Sequence, residues 1–179
     1  MGIFKIIRNT DDGLQYMHNA LNYVIGTHTD YDKRYSPNVD IYNACEQFSL
    51  VKKYFGKTSG NPVFHFIVVY DAKSTWGNTY ERAESMSRSI ASYFADRYQI
   101  VYGIHNKLCY NKYGKCTSLY HAHFIMNSVS YIDGKMFSGN HSEIYAFLNY
   151  IESVTGDKSW KIKYGSGKEK TSERLAASM

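Results

Sequence analysis

His121 and His123 stand two residues apart in Tyr120-His121-Ala122-His123-Phe124-Ile125-Met126-Asn127, a run that reads as a buried β-strand. Strand side chains alternate between faces, so both imidazoles project one way while Tyr120, Ala122 and Phe124 project the other. A third imidazole, His105, closes the preceding apolar run Gln99-Ile100-Val101-Tyr102-Gly103-Ile104. Neighbouring strands lie only about 4.8 Å apart, which brings a residue of one within reach of the next. Two buried histidines on one face have four ring nitrogens to satisfy, and coordination to a shared ion answers that demand. The competing reading is a pair that faces solvent on an open sheet. Three neutral imidazoles with the remaining positions open make a catalytic metal site.

Several elements are needed to hold such a site. Ile3 to Ile7 is a short strand, and Asn9-Thr10-Asp11-Asp12 offers capping side chains for a helix with Leu14, Met17, Leu21 and Val24 on its apolar stripe, ending near Gly26. A polar stretch leads to a second helix from about Val39 to Tyr54, and Val63 to Tyr70 is apolar enough for a central strand covered on both faces. Asn78 to Tyr98 carries Ala83, Met86, Ile90, Ala91 and Phe94 at helical spacing. The strand to His105 follows at once. A polar connector leads to the strand Leu119 to Tyr131, Asp133-Gly134 signals a turn, and Ser142-Glu143 opens a last helix through Val154. The connector lacks helical periodicity, which favours a hairpin over a parallel crossover. The expected class is therefore α+β, an antiparallel sheet with helices mainly on one face. Residues 1–164 form one domain, and 165–179, rich in Gly, Ser and Lys, reads as a flexible tail or the start of a linker.

With 18 tyrosines and 9 phenylalanines the chain is unusually aromatic, and aromatics at this density serve a core or stack on bases. A net charge of +5 favours an anionic partner. Cys45, Cys109 and Cys116 form no C-x-x-C pair, and their odd number gives no disulfide framework, which points to a reducing cytoplasm. No apolar run approaches the ~20 residues of a membrane span, and the first residues do not form a signal peptide. A glycine loop for ATP is also missing, so helicase activity is not expected.

His105, followed by His121-Ala122-His123-Phe124-Ile125-Met126-Asn127-Ser128-Val129-Ser130 and Asp133-Gly134-Lys135-Met136-Phe137, resembles the metal-binding motif of plasmid mobilisation relaxases, HUH endonucleases, most closely the MOBP type. Ala20-Leu21-Asn22-Tyr23-Val24-Ile25 resembles the amino-terminal tyrosine motif of that family, and Val63 to Tyr70 and Arg82 to Tyr98 its central strand and following helix. The resemblance covers most of residues 1 to 155. It implies an RRM-like fold, a divalent ion held by His105, His121 and His123, and Tyr23 as the nucleophile that becomes joined to DNA. The apolar stripe of the Tyr23 helix is complete without it, which leaves this ring near the helix end to project toward the sheet edge. The resemblance makes Mn²⁺ or Mg²⁺ the expected ion, while imidazoles also bind Zn²⁺ and Ni²⁺ well. Where the family commonly has an acidic residue after the first histidine, Asn106 and Lys107 stand here. Asp71, Glu81, Glu84 and Asp133 are then the candidates to orient the imidazoles.

His28, His65 and Asn127 are accessory candidates, and His65 is the substitute ligand should His105 lie too far away. Lys33, Arg34, Lys52, Lys53 and Lys57, interleaved with Tyr31, Tyr35, Tyr54 and Phe55, fit a grip on a DNA strand, or equally an exposed helix face. The function implied is strand-specific nicking and rejoining of single-stranded or hairpin DNA at a plasmid or mobile-element transfer origin. Accessory relaxosome and coupling proteins would be partners, in a bacterial cytoplasm. The rivals are a replication initiator or transposase whose tyrosine follows the motif, at Tyr145 or Tyr150, and a nucleic-acid-binding domain that never cleaves.

Overall fold

A computed structural model describes residues 2–8, 13–26, 33–71, 73, 75, 77–110, 114 and 116–166. The elements follow in the order β1 (Ile3–Arg8), α1 (Leu14–Ile25), β2 (Arg34–Tyr35), α2 (Ala44–Tyr54), β3 (Val63–Val69), α3 (Tyr80–Ala95), β4 (Ile100–Tyr110), β5 (Cys116–Asn127), α4 (His141–Thr155) and β6 (Lys161–Ser166). They build one six-stranded sheet in the order β2-β4-β5-β3-β1-β6. Every pairing is antiparallel except that of β1 with β6. The α+β class with an antiparallel sheet is thus the one the sequence predicts.

The helices divide between two faces rather than lying mainly on one. Phe64, Phe66 and Val68 of β3 pack against α3 and α4 through Ala83, Met86, Ile90, Phe147 and Ile151. Val63, Val101 and Ile125 pack on the other side against Met17, Leu21 and Val24 of α1 and Phe48 of α2. The strands are apolar on both faces, so both need a cover. The first face also explains the aromatic content. Phe66, Phe124, Tyr102 and Tyr35 are cross-strand partners in one row over four strands. Their rings stack at 4.7, 5.2 and 5.3 Å. These aromatics serve the core.

Local chemistry sets the helix ends. Asn140 and Glu143 form a reciprocal capping box at α4. The Thr79 hydroxyl accepts from the Arg82 amide at the start of α3. At α1 the N-cap is Gly13, which has no side chain to offer, and the caps expected from Asn9 to Asp12 lie outside the described residues. Helix α2 begins at Ala44 rather than near Val39, because Ser36, Asn38 and Asp40 engage backbone groups with their side chains. Asn38 donates to the Ala95 and Tyr98 carbonyls, and Asp40 accepts from the Tyr42 amide.

The segment expected as a connector after His105 is itself strand. β4 and β5 stay paired from Ile100↔Met126 out to Tyr110↔Cys116. Pairing satisfies backbone groups whatever the side chains are, so polar sequence past the covered part of a sheet can still form a hairpin. At the other end β6 runs to Ser166, and Gly165 and Ser166, expected in the tail, pair with Ile7 and Arg8 of β1. Residues 167–179 lie outside the described residues.

Candidate metal centre

The hairpin pairing decides the histidine geometry. His105 of β4 is the direct cross-strand partner of His121, and His123 lies one same-face step further along β5. The ring centroids are 5.5 Å (His105–His121), 4.9 Å (His105–His123) and 5.3 Å (His121–His123) apart. One ligand nitrogen from each lies within 4.8 Å of the others. Two nitrogens bound to one ion at about 2.1 Å are at most about 4.2 Å apart. Small imidazole rotations therefore draw this set around a single ion, and the residues fit a metal. Among the described residues no carboxylate joins the three histidines. Asp133 pairs with Arg97 instead, and Glu84 with Arg88 on α3.

The histidines sit partly to fully buried on the face covered by α1. Burial lowers the His121 pKa, so this ring is neutral and able to coordinate at neutral pH. Its Nδ1 faces the Leu119 carbonyl at 3.5 Å, which leaves Nε2 for an ion. Tyr23, in the last turns of α1, sets its ring edge-on to two of the three imidazoles, 5.2 Å from His123 and 5.8 Å from His105. Of the motif residues expected to act together, Tyr23, His105, His121 and His123 are thus brought to one place.

His65 is on the same face, yet it stands behind His123 rather than among the ligands. Its Nε2 lies 3.5 Å from His123 Nδ1, and its Nδ1 lies 3.2 Å from the Tyr16 hydroxyl. Burial raises the Tyr16 pKa to about 12, so this phenol stays protonated. With His123 Nε2 toward an ion, one consistent proton arrangement runs His123 Nδ1–H to His65 Nε2 and His65 Nδ1–H to the Tyr16 oxygen. Such a chain fixes ring orientation as a carboxylate would. Tyr16 belongs to no motif; its signal in the sequence is its place seven residues before Tyr23, two turns back on the same helix face.

The remaining candidates are dispersed. Asn127 does not reach the site: it is fully buried, its amide donates to the Phe48 carbonyl and Gln99 Oε1, and its oxygen accepts from the Val129 amide. It stands four positions along the strand from His123, about 13 Å. His28 lies outside the described residues. The basic stretch divides in two. Arg34, next to Lys33, pairs with Gly103, itself the partner of His123, so it belongs to the histidine row on the same face. Lys52, Lys53 and Lys57 gather instead around the carboxyl end of α2. Tyr35 is spent on the aromatic row and on a 2.8 Å hydrogen bond to the Tyr80 hydroxyl. Tyr145 and Tyr150 ride on α4, across the sheet from the histidines.

No curated protein and no solved structure matches the chain. Residues 16–158, however, match a family described as "Relaxase: MobA/VirD2-like, nuclease domain", an interval that runs from the Tyr16 helix through the whole histidine hairpin to the end of α4. With a histidine triad and a helix tyrosine on one face of an antiparallel sheet, and most of its length matched, the chain belongs to the MobA/VirD2-like relaxase family of DNA-nicking nuclease domains.

Proposed function

We propose that this relaxase domain nicks and rejoins single-stranded or hairpin DNA at the transfer origin of a plasmid or mobile element, in a bacterial cytoplasm, with Tyr23 as nucleophile. The observation that carries this reading is the Tyr23 ring at 5.2 Å from His123, beside a histidine triad that fits a divalent ion. Attack forms a bond from the Tyr23 oxygen to phosphorus and breaks the bond from phosphorus to the 3′-oxygen. The phenolic proton is balanced by the one that the leaving 3′-oxygen takes up. The product is a 5′-phosphotyrosyl adduct and a free 3′-hydroxyl, and its ester energy allows rejoining without ATP.

His105, His121 and His123 would hold the ion, with Mn²⁺ or Mg²⁺ expected, and it would supply charge neutralisation for the scissile phosphate. The chain's own part is positional. α1 presents the phenol edge-on to the imidazoles, the hairpin keeps His105 opposite His121, and Arg34 brings a permanent positive charge to the His123 row. Holding nucleophile and phosphate in attack geometry is a large share of what such a site contributes. A tyrosine on α4 would have to act from the far side of the sheet, which argues against the initiator and transposase readings. Relaxosome and coupling proteins are the expected partners. No described helix is long and apolar enough to cross a membrane.

The test is end-labelled single-stranded origin DNA with Mn²⁺, resolved on a denaturing gel. Wild type should form a protein–DNA adduct, and Tyr23→Phe and His121→Ala should not. An adduct of undiminished yield from Tyr23→Phe assigns the nucleophile elsewhere. Tight binding with unchanged oligonucleotide length across a panel of origins favours a domain that binds without cleaving.

A further inference from the structure

Two cavities lie at the carboxyl end of α2. One, of about 70 Å³, is lined by Lys52, Lys53 and Lys57 together with Ser49, Thr58 and Ser59. That is several times the ~10–15 Å³ a single water needs, and it suits a tetrahedral oxyanion. The other, a shallow groove of about 560 Å³, is lined by Leu50, Tyr54, Phe55 and Tyr131, and Lys53 borders both. Among the described residues no carboxylate lines either cavity. Lys52 is only 5% exposed, and Ser128 Oγ, at 3.0 Å, takes one of its three ammonium donors. A cation held this deep, with a serine hydroxyl rather than a described carboxylate as its partner, is a standing cost that a bound anion would offset. Next to it Tyr54 is 83% exposed, its ring edge-on to Phe55 at 4.8 Å, and its outer surface is open to a stacking partner.

We infer that these cavities hold one nucleotide of a single DNA strand, the backbone phosphate among Lys52, Lys53 and Lys57 and the base against Tyr54. Lysine beside exposed aromatic surface is the pairing that single strands use, charge tracking the backbone and rings accepting any base. The cavity borders Leu14 at the start of α1, and Tyr23 lies nine residues along the same helix, about 13 Å away. A strand anchored there is held at a fixed distance from the nucleophile. The contact therefore sets which phosphate reaches Tyr23. This inference rests on the nicking reading for its DNA, while the anion cavity stands on its own residues.

Both are tested without metal, in EDTA, so that cleavage plays no part. Inorganic phosphate titrated into ¹⁵N-labelled protein should shift the Ser59 and Gly60 amides saturably. The shift should vanish in Lys53→Gln/Lys57→Gln, a variant at exposed positions that leaves buried Lys52 in place. For an oligothymidylate, the slope of log affinity against log salt should become shallower by about 0.7, the share of one single-strand phosphate, in that variant. Tyr54→Ala should weaken binding roughly tenfold at constant slope. A methylphosphonate placed singly along the oligomer should weaken wild-type binding at one position and have no added effect there in the double variant. No saturable phosphate shift overturns the cavity. A phosphate shift with an unchanged salt slope overturns its assignment to DNA. If wild type forms no adduct in the nicking assay while these binding results hold, the nucleophile reading falls and the nucleotide site remains.

Discussion

Lys52→Met isolates the energetic consequence of a lysine buried against a serine hydroxyl, with no carboxylate among the described residues beside it. Burial lowers the Lys52 pKa from 10.5 to about 8, a difference worth about 3 kcal/mol. The unfolded chain binds this proton up to pH 10.5 and the folded chain only up to about 8. Stability is therefore reduced in full below pH 8, and the loss is relieved as pH rises from 8 to 10.5. Methionine matches the length of the stem without the charge, at the loss of the bond to Ser128, about 1.5 kcal/mol while the lysine is charged. Ser128 keeps its own donation to the Asn61 carbonyl at 2.7 Å. The expected net gain at pH 7 is about 1.5 kcal/mol, or roughly 3–6 °C in Tm for a chain of this size. Thermal unfolding of both proteins at pH 7, 8, 9 and 10.5 and constant ionic strength checks it. The Tm difference should shrink across that range and reverse slightly at the top, where only the lost Ser128 contact remains. A difference that does not vary with pH, or a variant less stable at pH 7, refutes the reasoning. The same variant should bind single strands more weakly, so that a gain in stability accompanies a loss in binding.

Removing the support behind His123 should act on the ion alone. Tyr16→Phe and His65→Gln are expected to lower Mn²⁺ affinity about 10- to 100-fold by calorimetry with the fold unchanged in far-UV circular dichroism; affinities within twofold of wild type mean that the Tyr16–His65 chain does not orient the ligand. Asn127→Ala should do the reverse. It strips three hydrogen bonds from a fully buried site and should cost about 3 kcal/mol in urea unfolding while leaving Mn²⁺ affinity intact, and a tenfold loss of affinity would return Asn127 to the metal site.

Much of this arrangement is legible in the sequence because it depends on period. The two-residue spacing of His121 and His123 gives a shared face with no knowledge of the partner strand, and the apolar runs at Val63 and Gln99 give the central strands. What periodicity does not carry is register. Whether His105 meets His121 depends on how far the hairpin extends, and that is decided by backbone pairing among polar residues whose side chains carry no signal. The helix layers are hidden for a related reason: a strand that is apolar throughout shows two covered faces without telling which helix covers which. Asn127 illustrates the opposite trap. Adjacent to a motif in sequence, it points to the same face as His123, yet the strand carries it beyond the site into the α2 junction.

Gly103 shows where the fold gives way to chemistry. Glycine weakens a strand, and β4 is otherwise apolar here, with Tyr102 and Ile104 buried on either side. Gly103 is not among the glycines with positive φ, so its backbone would accept any residue. The reason for glycine lies instead in the row it occupies. Between Arg34 and His123, any side chain at 103 would stand on the histidine face, in the space beside the ring that Tyr23 approaches at 5.2 Å. Gly103 is buried, so in Gly103→Val the crowding of the Tyr23 ring should outweigh the gain in strand propensity and cost about 1–2 kcal/mol. The substitution should reduce adduct formation about 100-fold by displacing the phenol, since an ångström of misplacement is worth that much. Mn²⁺ affinity should fall far less than the rate, because His105 still faces His121. Thermal melts, calorimetry and the denaturing gel on one preparation separate these effects. Adduct formation at the wild-type rate would mean that the space across from His123 is not reserved for Tyr23 and its phosphate.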